Sequence, residues 1–314
     1  MKLRFMPDFA ALMLMLFVLG CSPENKEKPK PLSDSAATKI GKHHHPDKNV
    51  FMWEVRSANS KAYILGSIHV AKSDVYPLDP RIENAFTEST DFVSEADMSK
   101  ANLSFLAEKA MFTDGTTLKK SLPNGIYKQL SEGLEKHGLN DAIYSKLKPG
   151  FALLTFLGLE LKAAGFLTEQ GIDLYFANKA KEHKKEIHEL ESIEFQVDLF
   201  DKGLNKYMNE FMEYSLSDIK NLSQKIDSLF YSWSTGDTAA IAKLLLEGQG
   251  KGKNMDNILK MFIDDRNVNM AARIEEYLKT GRVFFVVAGA AHMIGDRGII
   301  SLLNKKEIYK IKQL

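Results

Sequence analysis

The chain has 314 residues, of which 44% are apolar, enough to bury a full hydrophobic core. Lys and Arg number 42 against 41 for Asp and Glu, a formal net charge of +1. That balance provides no basic field and no acidic tail, which argues against nucleic acid as a partner.

The N-terminus carries Lys2 and Arg4, then the apolar run Phe9 to Leu19, and ends in Val18-Leu19-Gly20-Cys21. A short apolar run behind a basic start is how a secretory signal is built, and it falls short of the about 20 residues a spanning helix needs. Residues 1–20 are therefore expected to be a signal peptide. Val18 to Cys21 resembles the bacterial lipobox, which implies a lipidated Cys21. Cys21 is also the single cysteine, so no intramolecular disulfide can form. Acyl chains contribute about 0.8 kcal/mol per buried methylene, so a multiply acylated Cys21 is a stable membrane anchor. Ser22 follows, with no aspartate retention signal. The expected location is the bacterial cell envelope, on the outer membrane and facing the periplasm.

Residues 21–49 are rich in Pro, Lys and Ser and poor in large apolar side chains, as a disordered tether is. His43, His44 and His45 lie in it, as solvated histidines or a weak metal-capturing tract. Residues 50–314 are expected to form one α/β domain. Phe51 to Val55 and Ala62 to Leu65 flank Ala58-Asn59-Ser60 and predict a hairpin. Asp79 then caps, and Pro80 opens, a helix through Phe86. Phe92-Val93-Ser94 predicts a strand running into Glu95-Ala96-Asp97.

From about Asn102 to Gly165 apolar residues recur every three or four positions, broken at Asp114-Gly115, Pro123 and Pro149-Gly150. This predicts a mostly helical insertion over a sheet. Ile172 to Ala180 continues as a helix, and Glu186 to Leu190 is a strand with Glu191 at its carboxyl end. Ser192 caps the next helix. Leu259 to Leu278 predicts a helix with Leu259, Ile263, Met270, Ile274 and Tyr277 on one stripe, Arg266 within it and Gly281 as its cap. Val283 to Ala288 has the continuous apolar character of a buried parallel strand and feeds Gly289-Ala290-Ala291-His292.

Two apolar strands thus end alike, in a glycine, two small or apolar residues and a histidine: Gly66 to His69 and Gly289 to His292. Glycine permits a sharp turn, so each imidazole can project above the carboxyl edge of a sheet, where open α/β folds hold ligands. Glu95 also follows a strand, and Asp97 shares its side if that strand continues. Two imidazoles and carboxylate oxygens suit Zn, Mn, Co or Fe in the +2 state, while without metal His69 or Glu95 can serve as a general base. Arg266, on an apolar helix face, needs a carboxylate or anion unless its stem carries it to water. Glu95 or Glu191 is the partner it is expected to orient, and an oxyanion is the alternative.

These residues resemble the TraB/PrgY/GumN family, which is similar to the animal TIKI proteases and more distantly to ChaN and erythromycin esterases. The resemblance spans Trp53 to the C-terminus. It rests on Leu65 to His69, Tyr76-Pro77-Leu78, Ala85-Phe86, Ser94 to Asp97, Asp114-Gly115 with Leu118, and Lys148-Pro149. Further on it rests on Glu169 with Gly171-Ile172-Asp173, Leu190-Glu191 with Gln196, Arg266-Asn267 with Met270-Ala271, and Val287 to His292 with Gly295 and Gly298. It implies a three-layer α/β/α sheet core with a helical insertion, and an active site of His69, His292, Glu95 and Arg266. The TIKI branch implies a metalloprotease using Mn or Co. The expectation is a metal-dependent hydrolase with His69, His292 and Glu95 as metal ligands or base, and Arg266 steadying charge. Asp97, Asp173 and Glu191 are expected to support them from behind. The cofactor is a divalent metal (Mn, Co or Zn), and the partners are the membrane, through Cys21, and a peptide or small-molecule ligand. The alternative is a non-catalytic envelope lipoprotein that sequesters a peptide or a haem or iron ligand.

Overall fold

The computed structural model describes residues 45–97, 102–217, 219–246 and 252–314. The expected signal peptide, Cys21, His43 and His44 lie outside the described residues. Among the described residues, no helix is long and apolar enough to cross a membrane.

The hairpin forms as its pattern predicts: β1 (Met52–Arg56) and β2 (Lys61–Ser67) pair antiparallel with Trp53 opposite Ile64. Ser57 Oγ closes the turn by accepting from the Asn59 and Ser60 amides at 3.3 and 3.0 Å. With β3 (Asp91–Ser94), β4 (Glu186–Glu189), β5 (Val283–Gly289) and β6 (Lys310–Gln313), they make one six-stranded sheet in the order β4-β3-β5-β2-β1-β6. The run from β4 to β2 is parallel, and β1 is antiparallel to both neighbours. The predicted elements did not include β6. It is a short edge strand whose lysines alternate with half-buried residues, a usual composition for an edge.

Helices cover both faces, because β5 is apolar on both. Phe285 packs against Phe86 and Phe176, ring centroids 5.5 and 4.7 Å away, on the helices Pro80–Glu88 and Ile172–Glu182. Its neighbour Phe284 points to the opposite face and stacks on Tyr277 at 5.0 Å, at the end of the helix Asp265–Tyr277. The fold is thus α/β. Asp79 caps the first of these helices by accepting from the Arg81 amide at 2.9 Å, with Pro80 in its first turn.

Between β3 and β4 lie the helices Leu103–Ala110, Asn124–Lys136 and Pro149–Ala163, the expected insertion. A second helical stretch, Met208–Ser217, Leu222–Ser234 and Thr238–Leu245, fills the connection from β4 to β5. The helix predicted as continuous from Leu259 to Leu278 is instead interrupted. Lys253–Leu259 leads into a π-helical turn, Lys260–Asp264, before the helix Asp265–Tyr277 begins. Such turns re-aim the side chains that follow.

Candidate active site at the carboxyl edge of the sheet

Parallel pairing sets the strand ends level: Ser67 lies opposite Gly289, and Ser94 lies opposite both Val287 and Glu189. Each of the four adjacent strands therefore delivers a polar residue to the same edge. β2 leads to His69, β3 to Glu95 and β4 to Glu191, whose amide donates to the Glu95 carbonyl at 2.9 Å. β5 leads to a 3-10 turn, Ala290–Met293, that carries His292. Arg266 enters from the helix Asp265–Tyr277. All five are closed off from solvent, with exposures of 6% (His69), 5% (Glu95), 9% (Glu191), 3% (Arg266) and 1% (His292).

Glu95 is the hub. Its Oε2 accepts from the Gly289 amide at 2.9 Å, and its Oε1 accepts from Gln196 Nε2 at 3.2 Å and from the Arg266 guanidinium. Arg266 also donates to Glu191 Oε2 from Nε at 2.9 Å and from Nη2 at 2.7 Å. Its Nη1 donates to the Phe262 carbonyl, in the π-helical turn, at 3.1 Å. Burial opposes ionisation of Glu95, but His292, Arg266 and His69 outweigh it and hold the carboxyl at about 2, against the ordinary 4.5. Glu95 is therefore an anion near neutral pH and a poor proton acceptor.

The imidazoles are each backed by an oxygen. His292 Nδ1 lies 2.7 Å from Asn267 Oδ1, and its Nε2 lies 3.5 Å from Glu95 Oε1. His69 Nδ1 lies 3.2 Å from Asp173 Oδ2. Burial works against protonation of His69, yet Asp173 and Glu95 reverse that, and its pKa is raised. Gly289 sits between the rings. A Cβ there would stand 3.2 Å from His69 Nε2, 3.6 Å from Glu95 Oε2 and 3.6 Å from His292 Cδ2. His69 Nε2, Glu95 Oε2 and the Cδ2 edge of His292 thus surround a position that any other residue would fill, and imidazole and carboxylate side chains are donor types that suit a divalent Zn, Mn or Co ion.

The sequence profile of the TraB/PrgY/gumN family matches residues 51–312. The chain belongs to this family. It is 24% identical to "Metalloprotease TIKI1" of Xenopus tropicalis over 87% of this chain and 63% of that protein. It is 22% identical to "Metalloprotease TIKI homolog" of Nematostella vectensis over 83% of this chain and 66% of that protein. A third relative, "Uncharacterized protein YbaP" of Escherichia coli (strain K12), is 24% identical over 46% of this chain and 55% of that protein. The chain spans about six-tenths of the length of the TIKI relatives it matches. No solved structure matches it significantly.

Within the family match, the structure brings together His69, His292, Glu95, Glu191 and Arg266, whose places at strand ends and on the helix stripe suggested it, and Asp173, which the family resemblance had singled out. Asp97 departs from expectation. β3 stops at Ser94, so Asp97 does not continue the strand on the side of Glu95; its amide donates to Glu189 Oε2 at 3.3 Å. Asp173 reaches His69 because the helix Ile172–Glu182 docks its start on the preceding loop. The Ile172 amide donates to the Ile68 carbonyl at 3.0 Å, and a Cβ on Gly171 would stand 2.5 Å from the His69 carbonyl oxygen. Gln196 and Asn267 were not foreseen as contacts. Their signals were the cap at Ser192, which accepts from the Phe195 amide at 3.1 Å, and the adjacency of Asn267 to Arg266 on a buried stripe.

Among the described residues, the one group of three His, Asp and Glu ligand atoms lying mutually within 4.8 Å is Asp91, Glu186 and His188; His69, His292 and Glu95 stand further apart than that. The Asp91 group lies where β3 and β4 begin, at the opposite edge of the sheet. Arg282 already bridges its carboxylates, 2.8 Å from Asp91 and 2.7 Å from Glu186, and His188 Nε2 lies 2.8 Å from Asp91 Oδ1. A resident guanidinium supplies the positive charge there, which makes this an ion-pair network rather than a ready cation site.

Proposed function

We propose that the chain is a metal-dependent hydrolase of peptide bonds, with its site around Gly289. The observation that carries this reading is the convergence of His69 Nε2, the Cδ2 edge of His292 and Glu95 Oε2 on the space left by the missing Gly289 side chain. The printed names of the TIKI relatives supply the reaction class. His69, His292 and Glu95 would hold the ion. When bound, such an ion polarises a carbonyl and lowers the pKa of coordinated water to about 7.

The remaining residues act on these three. His292, Arg266 and His69 keep Glu95 ionised and Gln196 helps to fix it, so it offers an anionic oxygen without competing for a proton. Asp173 orients His69 through Nδ1. The buried guanidinium of Arg266 also lowers the cost of negative charge developing beside it, as an attacked carbonyl oxygen requires. Export and anchoring through Cys21 to the outer membrane complete the proposal. Palmitate labelling that persists in Cys21→Ser would remove that part.

The test uses the full chain, stripped of metal and reloaded with Zn, Mn or Co singly, then incubated with a peptide library read by mass spectrometry. Cleavage that returns with metal and disappears in the His69→Ala/His292→Ala pair is the expected result. A folded protein that cleaves nothing with any metal overturns the hydrolase reading. Saturable peptide binding, or a Soret band on purification, would then favour sequestration of a peptide or haem ligand in the same crevice.

A further inference from the structure

Asn267 is completely buried, and its amide sits between two partners. Nδ2 donates to the Arg297 carbonyl at 2.9 Å, and Oδ1 lies 2.7 Å from His292 Nδ1. A carbonyl oxygen accepts and cannot donate, so the amide nitrogen must face Arg297 and the amide oxygen must face the ring. The amide oxygen has no proton to give, so His292 Nδ1 carries one. In the neutral ring the lone pair then lies on Nε2, the nitrogen 3.5 Å from Glu95 Oε1. Its bonded neighbour Cδ2 faces Gly289.

The Arg297 carbonyl is placed by the turn that follows His292. The Gly298 amide donates to the Gly295 carbonyl at 3.0 Å, and Gly295 has a φ of +78°, the left-handed region that glycine adopts freely. A Cβ on Gly298 would come within 2.3 Å of the Ile294 carbonyl oxygen. The segment after His292 therefore returns, through Asn267, to the His292 ring.

We propose that Asn267 is a positioning residue that holds His292 as its Nδ1–H tautomer and so leaves the lone pair on Nε2, beside Glu95 Oε1. The role of that lone pair rests on the metal-hydrolase reading, whereas the tautomer rests on the hydrogen bonds alone. His69 follows the same plan, with Nδ1 turned toward Asp173 and Nε2 toward Gly289. The partners differ in charge. The Asp173 side chain is 40% exposed, whereas Asn267 is sealed behind the His292 ring, where a carboxylate would be costly.

The experiment takes the full chain labelled with 15N-histidine, treated with chelator, at alkaline pH where the rings are neutral. Long-range imidazole 1H–15N correlation reports which nitrogen carries the proton, and His292→Gln assigns the signals. The expected wild-type spectrum shows His292 protonated on Nδ1. Asn267→Asp, which keeps an acceptor against Nδ1, should retain that tautomer. Asn267→Leu, which has no acceptor, should populate the Nε2–H form and weaken Zn, Mn or Co binding by about 10- to 100-fold in calorimetric titration. A wild-type His292 protonated on Nε2 overturns the proposal, as does a folded Asn267→Leu that keeps both tautomer and metal affinity. If Asn267→Leu does not fold, the wild-type spectrum decides. An Nδ1–H wild type that binds none of the ions would sink the metal-hydrolase reading while leaving the tautomer assignment in place.

Discussion

The two edges of the sheet carry similar ingredients. At the edge where the parallel strands begin, Asp91 and Glu186 meet Arg282 and His188; where they end, Glu95 and Glu191 meet Arg266 and His292. Solvent separates them. Arg282 and Glu186 have side chains 43% and 55% exposed, whereas Arg266, Glu95 and Glu191 are 3%, 6% and 5% exposed. Satisfaction separates them too, because Glu191 Oε1 and Gln196 Oε1 are buried acceptors with no hydrogen-bond partner in the site. Buried polar groups are normally paired, so unmet capacity on two residues that contact the Glu95–Arg266 pair marks this edge where a charge count alone would not.

The largest effect of breaking this contrast is expected at Arg266. Arg266→Ala removes the guanidinium that buried Glu95 and Glu191 share, which should cost about 3–5 kcal/mol in urea unfolding, the range for removing one partner of a buried ion pair. Acid should expose the same pairing. Glu95 has its carboxyl depressed to about 2 from 4.5, so its ionised form stabilises the fold fully above pH 4.5, and that contribution is lost as pH falls through 2. By linkage the contribution is on the order of a few kcal/mol. Glu95→Gln should flatten the stability profile across that window, and an unchanged slope would show that Glu95 is not the group responsible.

Much of the ending edge was legible before any coordinates, for a physical reason. An apolar run of strand length has a visible end, and the polar residue just beyond it can be named: His69, Glu95 and His292, with Glu191 following the shorter, more polar β4. Arg266 was legible because a charge on an apolar stripe needs a partner. Neighbourhood was not legible. Nothing local to Gly66 or Gly289 states that β2 and β5 lie side by side, and that pairing alone brings their histidines together. Asp97 failed because its placement depended on one more residue of strand, which β3 does not have. Asn267 and Gln196 are neutral and polar, equally at home on either face of a helix. Their contacts depend on helix rotation, which follows a π-helical turn in one case and a serine cap in the other.

At the opposite edge Arg282→Ala should move the urea midpoint far less than Arg266→Ala does. Asp91, though itself buried, keeps His188 Nε2 at 2.8 Å and the Thr90 hydroxyl at 2.5 Å, and the departing guanidinium is water-exposed. A loss as large as that of Arg266→Ala would erase the distinction between a solvated network and a sealed one.

The smallest change in stability is expected at Gly289, where the two properties of the ending edge can be separated. Its φ of −52° and ψ of 141° are open to any residue, so Gly289→Ala introduces no backbone strain and should shift stability by about 1 kcal/mol or less. The added methyl nevertheless occupies the gap, 3.2 Å from His69 Nε2. Metal binding and metal-dependent cleavage should therefore fall in a protein that unfolds normally. Gly125→Ala is the control, since nothing lies within 4 Å of the new Cβ there and neither property should fall. If Gly289→Ala keeps full metal affinity, the gap is only a packing feature of β5. If stability collapses with function, the edge is a buried charge network first, and its glycine serves the fold.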